Sequence, residues 1–487
     1  MYRPYIKPVA EASPDVKVPK SRRSKFVLLV CRILGRIYLF FFLGVVRIVL
    51  RKGEHIAGAY KRALAGDSRC IIAFRHPNGG EPQLLMWFIL FKLRAMARKF
   101  RIRFAKQPHV SFVYGYEVVR WGGVIARWVM PGLGSLPVHH AKVDSDGMAR
   151  IFKAISEGPY PLAIAPEGQV SYTTEAVPRL EQGTVRIGFK AADRLYREGK
   201  TCPVEILPVS IHFRYGRMGQ WSLNKLLRKI EKYTGFGGLR DKAPFSERLR
   251  RARDRILEHN EKRYRLSPQG SADGNQDSAS GNRGSFDERI DAIMDAALDR
   301  AEKILGIKTK GNDLMERVYH IRQICWDRMI IPGITSFKGR SLMERAVADL
   351  NCGEAWYASR HMELVDFCWY FRIPIPEETA PLYIKLEYVQ NLWDFANRSM
   401  GGAYSNRVFN VHPKRVLIQV APVINLSARL KEYHENKKEA IKAVMEDLKN
   451  SFLDCIQEAA EYQIWGGLCP ASQKPLPSDG INSSRAV

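Results

Sequence analysis

The sequence predicts an α/β fold in which a sheet is flanked by helices, together with a mainly α-helical insertion or second domain and an N-terminal membrane-associated helix. Short apolar runs alternate with helical stretches from about residue 60 to residue 215, a pattern typical of α/β layer folds. A further apolar run at 415–422 lies in an otherwise helical half of the chain and needs a sheet to join. The 487 residues are 46% hydrophobic and 26% charged, which excludes collagen-like, coiled-coil and wholly disordered proteins.

The N-terminal segment combines basic and apolar residues. Residues 1–24 are polar and basic and are predicted to form a flexible arm, and residues 25–52 are predicted to form one membrane-anchoring helix. The longest uncharged run of this helix is too short to cross a bilayer. Four basic side chains would lie within about 60° of one another on it: Lys25, Arg32, Arg36 and Arg47. A cationic stripe with apolar flanks favours a helix that lies in the headgroup region over a buried core helix.

Residues 53–220 are predicted to form the α/β core. The predicted strands are Cys70–Phe74, Phe112–Arg120, Pro161–Ala165 and Glu205–Phe213. The predicted helices between them are Gln83–Arg98, Asp144–Glu157 and Gly183–Glu198. Because strands and helices alternate in this order, the sheet is expected to be covered by helices.

The second half of the chain is predicted to be mainly helical. Residues 221–266 form basic helices, and residues 267–285, which contain no apolar side chain larger than alanine, form a flexible linker. Residues 286–410, beginning with a helix at Phe286–Leu305, form a helical insertion. Residues 411–465 supply a returning strand and a long helix of the core, and 466–487 form a flexible tail. Two consecutive domains are the alternative to an insertion.

The charge balance indicates an anionic partner. The chain has 77 Lys and Arg residues against 50 Asp and Glu residues, a formal net charge of +27. A lipid surface, a nucleic acid or a phosphorylated small molecule would each fit this excess. The eight cysteines are scattered without a Cys-x-x-Cys pair, so the sequence indicates neither a zinc module nor a disulfide scaffold.

Residues 70–87 place a histidine and a carboxylate at the end of a predicted strand. The apolar run ends at Phe74, and His76 and Glu81 lie five positions apart in the glycine-rich turn that follows. Ligands usually bind at the carboxyl ends of strands in α/β sheets. A carboxylate beside an imidazole orients it and stabilises its protonated form. The pair is therefore a candidate general base, and a surface histidine beside a helix-start glutamate is the alternative.

A second polar turn follows the next predicted strand of this kind. The apolar run at 161–165 ends in Pro166, Glu167 and Gly168, and a Ser/Thr-rich loop leads into a helix. A simple turn is the alternative interpretation. Two strand ends that both carry polar, glycine-containing turns are nevertheless what a shared pocket requires.

These segments resemble conserved blocks of the phospholipid/glycerol acyltransferase superfamily, typified by the 1-acyl-glycerol-3-phosphate acyltransferases. Residues 76–81 are similar to the family's His-x4-Asp motif, with glutamate in the place of aspartate. Residues 166–171 resemble its Pro-Glu-Gly-Thr-Arg-Ser block, residues 132–138 stand where its Gly-x-x-Phe-Ile-x-Arg block is expected, and residues 206–210 resemble its fourth block. All four occur in the family's order within about residues 65–215.

The resemblance implies a fold with a mixed sheet flanked by helices and an O-acyltransferase activity of phospholipid biosynthesis. His76 would take a proton from an acceptor hydroxyl, and Glu81 would orient and balance the imidazole. The predicted substrate-binding residues are Arg75, Asn78, Lys142, Glu167, Gly168, Gln169 and Ser171. The co-substrate would be an acyl-CoA or acyl-carrier-protein thioester, with no metal and no other cofactor. The acceptor would be a lysophospholipid such as 1-acyl-glycerol-3-phosphate, at the cytoplasmic face of an anionic membrane.

Two departures from the family's blocks leave alternatives open. The family's third block has an arginine where this chain has Val170, and the second block's arginine has no match. Neither valine nor histidine reproduces the bidentate guanidinium that binds a phosphate; Lys142, Arg179 or Arg75 would have to replace it. A catalytically lapsed acyltransferase fold that acts as a membrane scaffold is one alternative. A basic nucleic-acid-binding protein, suggested by the net charge, is the other. No nucleic-acid partner is expected, because the sequence contains no zinc knuckle, RNP-type aromatic strand or helix-turn-helix signature.

Overall fold

The computed structural model describes most of the chain and divides it into two compact units. The described residues are 11–15, 20–115, 118, 122–139, 144–235, 243–266, 285–309, 313–401 and 411–462. One unit, here called the sheet unit, consists of residues 18–220 and 410–487. The other, here called the helical unit, consists of residues 1–17 and 221–409. The predicted arm up to residue 10, almost all of the predicted linker and the predicted tail lie outside the described residues.

The sheet unit confirms the predicted α/β class with a mixed sheet. Its strands are β1 (Val45–Arg51), β2 (Arg69–Phe74), β3 (Ser111–Gly115), β4 (Leu136–Val138), β5 (Leu162–Ile164), β6 (Val204–Tyr215), β7 (Lys414–Val420) and β8 (Ile424–Asn425). The strand order is β1-β7-β6-β2-β5-β3-β4, with β8 paired to β6. Strand β6 is antiparallel to β7 and β8, and the other neighbours are parallel.

Helices are present in both units. In chain order they are α1 (Lys25–Phe41), α2 (Gly53–Ala65), α3 (Glu81–Phe91), α4 (Leu93–Ala97), α5 (Gly123–Gly132), α6 (Ser145–Glu157), α7 (Gly183–Arg197), α8 (Arg217–Thr234), α9 (Phe245–Tyr264), α10 (Phe286–Leu305), α11 (Leu314–Met329), α12 (Leu342–Tyr370), α13 (Leu382–Ser399), α14 (Leu430–Glu435) and α15 (Lys437–Glu461). The helical unit contains α9 to α13 and α8 after its first turn. Within it, Ser13–Pro14 also pairs in parallel with Ile330–Ile331.

Both faces of the sheet are covered, which explains the apolar character of its central strands. Along β2, Ile72 and Phe74 face a core made with α1, α2 and α3, whereas Ile71 and Ala73 face a core made with α6, α7 and α15. This alternation follows from the two-residue period of a strand. Strand β6 is buried at every position except its last, as expected for a central strand between two helical layers.

The prediction of one helix over residues 25–52 is wrong. Helix α1 ends at Phe41, the chain turns at Gly44 with a positive φ of 66°, and β1 pairs in parallel with β7. A Cβ built at Gly44 would overlap the ring of His412, so only glycine fits this turn. The run after Gly44 is rich in β-branched residues, which favour strands. Of the helices that the structure describes, none combines the length and apolar content that a membrane span needs.

The predicted cationic stripe is broken by the same turn. Arg36 lies on α1, but its guanidinium donates hydrogen bonds of 2.7 Å to the carbonyl oxygens of Val45 and Val46 at the start of β1. Arg47 lies on that strand rather than on the helix. Arg36 therefore joins α1 to the sheet, and the four cations do not share one helix face.

Strand β7 lies between β1 and β6 in the sheet. Its register with β6 runs from Val209 opposite Val420 to Tyr215 opposite Lys414. Residues 410–487 accordingly belong to the sheet unit, while residues 221–409 form most of the helical unit. The sheet unit also begins earlier than the predicted core, because β1 precedes residue 53.

Candidate active site

His76 and Glu81 form a hydrogen-bonded pair just beyond the carboxyl end of β2. Nδ1 of His76 lies 2.8 Å from Oε2 of Glu81, and the backbone N–H of Gly79 donates to the same oxygen at 2.8 Å. The Glu81 side chain is fully buried, whereas 17% of the His76 side chain is exposed. With an ionised carboxylate as its partner, Nδ1 carries the proton and Nε2 keeps a free lone pair. The pair thus has the arrangement of an oriented general base.

The turn between the two side chains depends on glycine. Gly79 has a positive φ of 97°, which other residues rarely adopt. Gly80 is the N-cap residue of α3, and a Cβ built on it would lie 3.2 Å from Cδ1 of Leu43. Glu81 is the first residue of α3, so the helix start holds its carboxylate next to the imidazole.

The turn after β5 meets the turn after β2, as the two neighbouring parallel strands require. The carboxylate of Glu167 accepts a hydrogen bond of 2.6 Å from the backbone N–H of His76 and another from Nε of Arg75. The backbone N–H of Ser171 donates to the carbonyl oxygen of His76 at 3.1 Å. The structure therefore brings together the two turns that the sequence singled out, and the second turn fixes the backbone of the first.

Arg75 and Glu167 are internal residues, which corrects their predicted role in substrate binding. Both side chains are fully buried and face each other. Nη2 of Arg75 also donates to the carbonyl oxygens of Thr173 and Ala176, each at 2.7 Å. A buried ion pair with these additional bonds holds the two turns together and leaves neither charge for a substrate in solution.

The other predicted substrate-binding residues have different surroundings. Ser171 was predicted to bind substrate, but it is fully buried, so its prediction is corrected in the same way. Gly168 has a positive φ of 75°, and its N–H donates to the carbonyl oxygen of Ala165 at 3.1 Å, so it shapes the turn. Asn78 and Gln169 are half-buried, one on each turn, and remain accessible. Lys142 lies outside the described residues.

A second buried ionic cluster behind the turns was not predicted. Glu175 accepts a hydrogen bond of 2.8 Å from Nη1 of Arg214, and its Oε1 lies 3.3 Å from Nδ1 of His212. Burial alone would raise the pKa of Glu175, but the two basic neighbours outweigh it and hold that pKa at about 2. Burial lowers the pKa of His212, and Glu175 opposes that effect. The only signal in the sequence was the spacing of His212 and Arg214, two positions apart in an apolar strand and hence on one face.

Among the residues that the structure describes, no group of three or more His, Cys, Asp or Glu side chains is placed to hold a metal ion. No protein-family model matches the sequence, and no curated protein matches it.

Proposed function

We propose that this protein is an O-acyltransferase that moves a fatty acyl group from an acyl thioester to a hydroxyl of a glycerolipid acceptor. The acceptor class is a lysophospholipid such as 1-acyl-glycerol-3-phosphate, and the donor is acyl-CoA or an acyl-carrier protein. The observation that carries the proposal is the 2.8 Å contact between His76 Nδ1 and Glu81 Oε2, with the imidazole partly exposed at the carboxyl end of β2. The order of the four blocks in the sequence supports the same class.

The reaction needs one proton transfer and one carbonyl addition. Nε2 of His76 takes the proton of the acceptor hydroxyl as its oxygen attacks the thioester carbonyl carbon. The tetrahedral intermediate collapses with cleavage of the C–S bond, and the imidazolium returns its proton to the leaving thiolate. Glu81 stabilises the imidazolium between these two steps, in the manner of the carboxylate in hydrolase triads.

Arg75 and Glu167 act in this proposal as positioning residues. Glu167 accepts the backbone N–H of His76, and Arg75 binds Glu167 and two carbonyl groups of the second turn. Any shift of this pair moves the backbone that carries the base. A positional error of about 1 Å in a reacting group can cost roughly 10²-fold in rate.

A catalytically lapsed scaffold is the second candidate. Val170 stands where the family has a phosphate-binding arginine, and the fully buried Arg75 does not replace it. Of the three cations named as replacements, Arg179 is exposed in the segment that follows the second turn, and Lys142 lies outside the described residues. If the acceptor phosphate has no partner, the fold would bind lipid without turnover.

The test is acceptor-dependent release of free thiol from an acyl-CoA by the purified full-length chain, with a panel of lysophospholipids in detergent. His76→Ala should lower turnover by roughly 10²–10⁴-fold, the usual contribution of a general base. His55→Ala, which changes a half-buried histidine on α2, is the matched control and should retain full turnover. Equal rates for His76→Ala and wild type would refute the base assignment. Absence of turnover with every acceptor would favour the scaffold.

A further inference from the structure

We propose that the sheet unit docks on an anionic lipid bilayer through one continuous apolar surface formed by α1 and α5. This docking face consists of Phe26, Leu29, Ile33, Leu34, Ile37, Phe40, Phe41 and Phe42 from α1 and its end, and Val124, Ile125 and Trp128 from α5. It goes beyond acyl transfer, because a scaffold without activity would need the same surface. It also differs from the expected N-terminal anchor, because a second helix, about 90 residues further along the chain, completes it.

Helix α1 presents apolar side chains on both of its faces. Val27 and Leu39 are buried against the core, as on any amphipathic helix. On the outer side, Ile33 is 61% exposed and Phe41 is 69% exposed, where a helix in water normally carries polar residues. Single exposed apolar residues are common, but a contiguous row along a helix indicates a binding surface.

Helix α5 extends this row. Val124 and Ile125 are 79% and 75% exposed, the highest values among the large apolar side chains described in the sheet unit. The ring of Phe26 lies 6.0 Å from that of Trp128 in an edge-to-face contact. A Cβ built on Gly132 would lie 2.6 Å from Cγ2 of Val27, so the two helices touch. The exposed side chains of both helices therefore form one surface.

The charges on and beside this surface favour a bilayer with anionic headgroups over a protein partner. Neither helix contains an acidic residue. Exposed cations lie on α1 and in the segment that leads into it: Arg22, Arg23, Lys25 and Arg32. Apolar and aromatic side chains bordered by cations are typical of helices that lie in the headgroup region, where each cation near the surface contributes about 1 kcal/mol.

The docking face is joined to the candidate active site through α3. A Cβ built on Gly35 of α1 would lie 2.6 Å from Cδ1 of Trp87, so the two helices pack closely. Leu43, which follows α1, is the close neighbour of Gly80 described above. Because Glu81 begins α3, docking would place the His76 turn beside the lipid-facing helices. This last step rests on the proposed function, whereas the docking itself does not.

Sedimentation of the full-length chain with vesicles tests the proposal. The vesicles contain equal amounts of phosphatidylcholine and phosphatidylglycerol, or phosphatidylcholine alone. The triple variant Val124→Ser/Ile125→Ser/Trp128→Ser should weaken binding to the mixed vesicles by about tenfold or more. The matched control is the double variant Met148→Ser/Tyr196→Ser, which removes exposed apolar side chains of α6 and α7 and should bind like wild type.

Two further variants test the cations and the fold separately. Lys25→Glu/Arg32→Glu should reduce binding to mixed vesicles while leaving any binding to pure phosphatidylcholine unchanged. Ile125→Asn changes a single side chain that is 75% exposed, so it should keep the fold and still weaken vesicle binding. It therefore separates loss of the apolar surface from loss of the fold in the triple variant. Wild-type binding by the triple variant, or equal losses in the triple and control variants, would overturn the proposal. The proposal would also be overturned if wild type were a dimer that does not bind vesicles and the triple variant were a monomer. The surface would then be an interface between two copies of the chain. Vesicle binding without thiol release would contradict only the proposed function.

Discussion

Replacement of Glu81 by glutamine should slow the proposed acyl transfer without unfolding the protein. Glutamine has the shape of glutamate, so its amide oxygen can still accept the N–H of Gly79 and of His76 Nδ1, each at about the 2.8 Å observed for the carboxylate. What disappears is the negative charge beside the imidazolium that forms during proton transfer. The substitution therefore isolates charge stabilisation from orientation.

The size of the effect follows from the geometry of the pair. Hydrogen bonds to charged groups contribute about 1.5–3 kcal/mol, against about 1 kcal/mol for neutral ones. Two unit charges about 4 Å apart attract by about 4 kcal/mol at an effective dielectric constant of 20, which sets an upper limit. A loss of about 2–3 kcal/mol from the transition state corresponds to roughly 30- to 150-fold in kcat. Only 17% of the His76 side chain is exposed, so solvent screening reduces the attraction between the two charges only slightly.

The assay compares kcat for thiol release in wild type, Glu81→Gln and Glu81→Asp, with thermal unfolding of each. Glu54→Gln, in the first turn of α2 and exposed, is the matched control and should have wild-type kcat. Aspartate keeps the charge but withdraws the carboxylate by about 1.5 Å, so it should recover only part of the activity. A kcat for Glu81→Gln within twofold of wild type would refute charge stabilisation by Glu81.

Three further predictions concern the stability of the sheet unit. Arg75→Met should lower the free energy of unfolding in urea by about 3–5 kcal/mol, because it leaves the buried Glu167 carboxylate without its partner. The double variant Arg75→Met/Glu167→Gln should lose less than the sum of the single variants, and strict additivity would contradict the pairing. Gly44→Ala should cost roughly 2–4 kcal/mol from positive φ and steric overlap. Gly66→Ala, with positive φ but open space, should cost only about 1–2 kcal/mol. The pKa of Glu175 is lowered from 4.5 to about 2 in the folded protein, so its carboxylate stabilises the folded state above pH 4.5. This contribution to the free energy of unfolding is at most about 3 kcal/mol, and it is lost as the pH falls towards 2. In Glu175→Gln, the melting temperature should fall less between pH 4.5 and pH 2 than in wild type. An equal fall in both proteins would contradict the role of Glu175.

Local signals in the sequence were sufficient for many elements. The strands predicted at Cys70–Phe74 and Glu205–Phe213 correspond to β2 and β6 with ends within two residues, because apolar runs are bounded there by polar turns. The helix predicted at Phe286–Leu305 has the same bounds in α10, since Ser285 forms a capping box and Gly306 ends the helix. Local chemistry fixes these boundaries independently of distant partners.

The pairing of residues 45–51 with β7 was not visible in the sequence. Between its basic residues the segment 25–52 is apolar, and short apolar runs do not distinguish helix from strand. What makes Val45–Arg51 a strand is β7, more than 360 residues further along the chain. Strand β4 was missed for a related reason, because three residues that include a proline carry almost no periodicity.

At the candidate site, the sequence indicated which turns meet but not which side chains face inward. The pairing of His76 with Glu81 followed from the glycines between them and the strand before them. Arg75 and Glu167 were expected to contact substrate because of the family resemblance. A charged residue in a strand-end turn serves either as a ligand or as part of an internal ion pair, and only burial decides between them. Burial depends on the packing of the whole unit.

The position of β7 also governs when the sheet can be completed during synthesis. Strand β1 pairs only with β7 in the part of the chain that the structure describes, and β7 emerges about 200 residues after β6. At ribosomal rates of about 5–20 residues per second, one edge of β6 waits roughly 10–40 s for β7, and β1, which ends more than 360 residues before β7, waits roughly 20–70 s. Nascent chains stalled before residue 414 should therefore leave residues 45–51 open to proteolysis. During this interval the strand edges are exposed, and a chaperone would be needed to protect them.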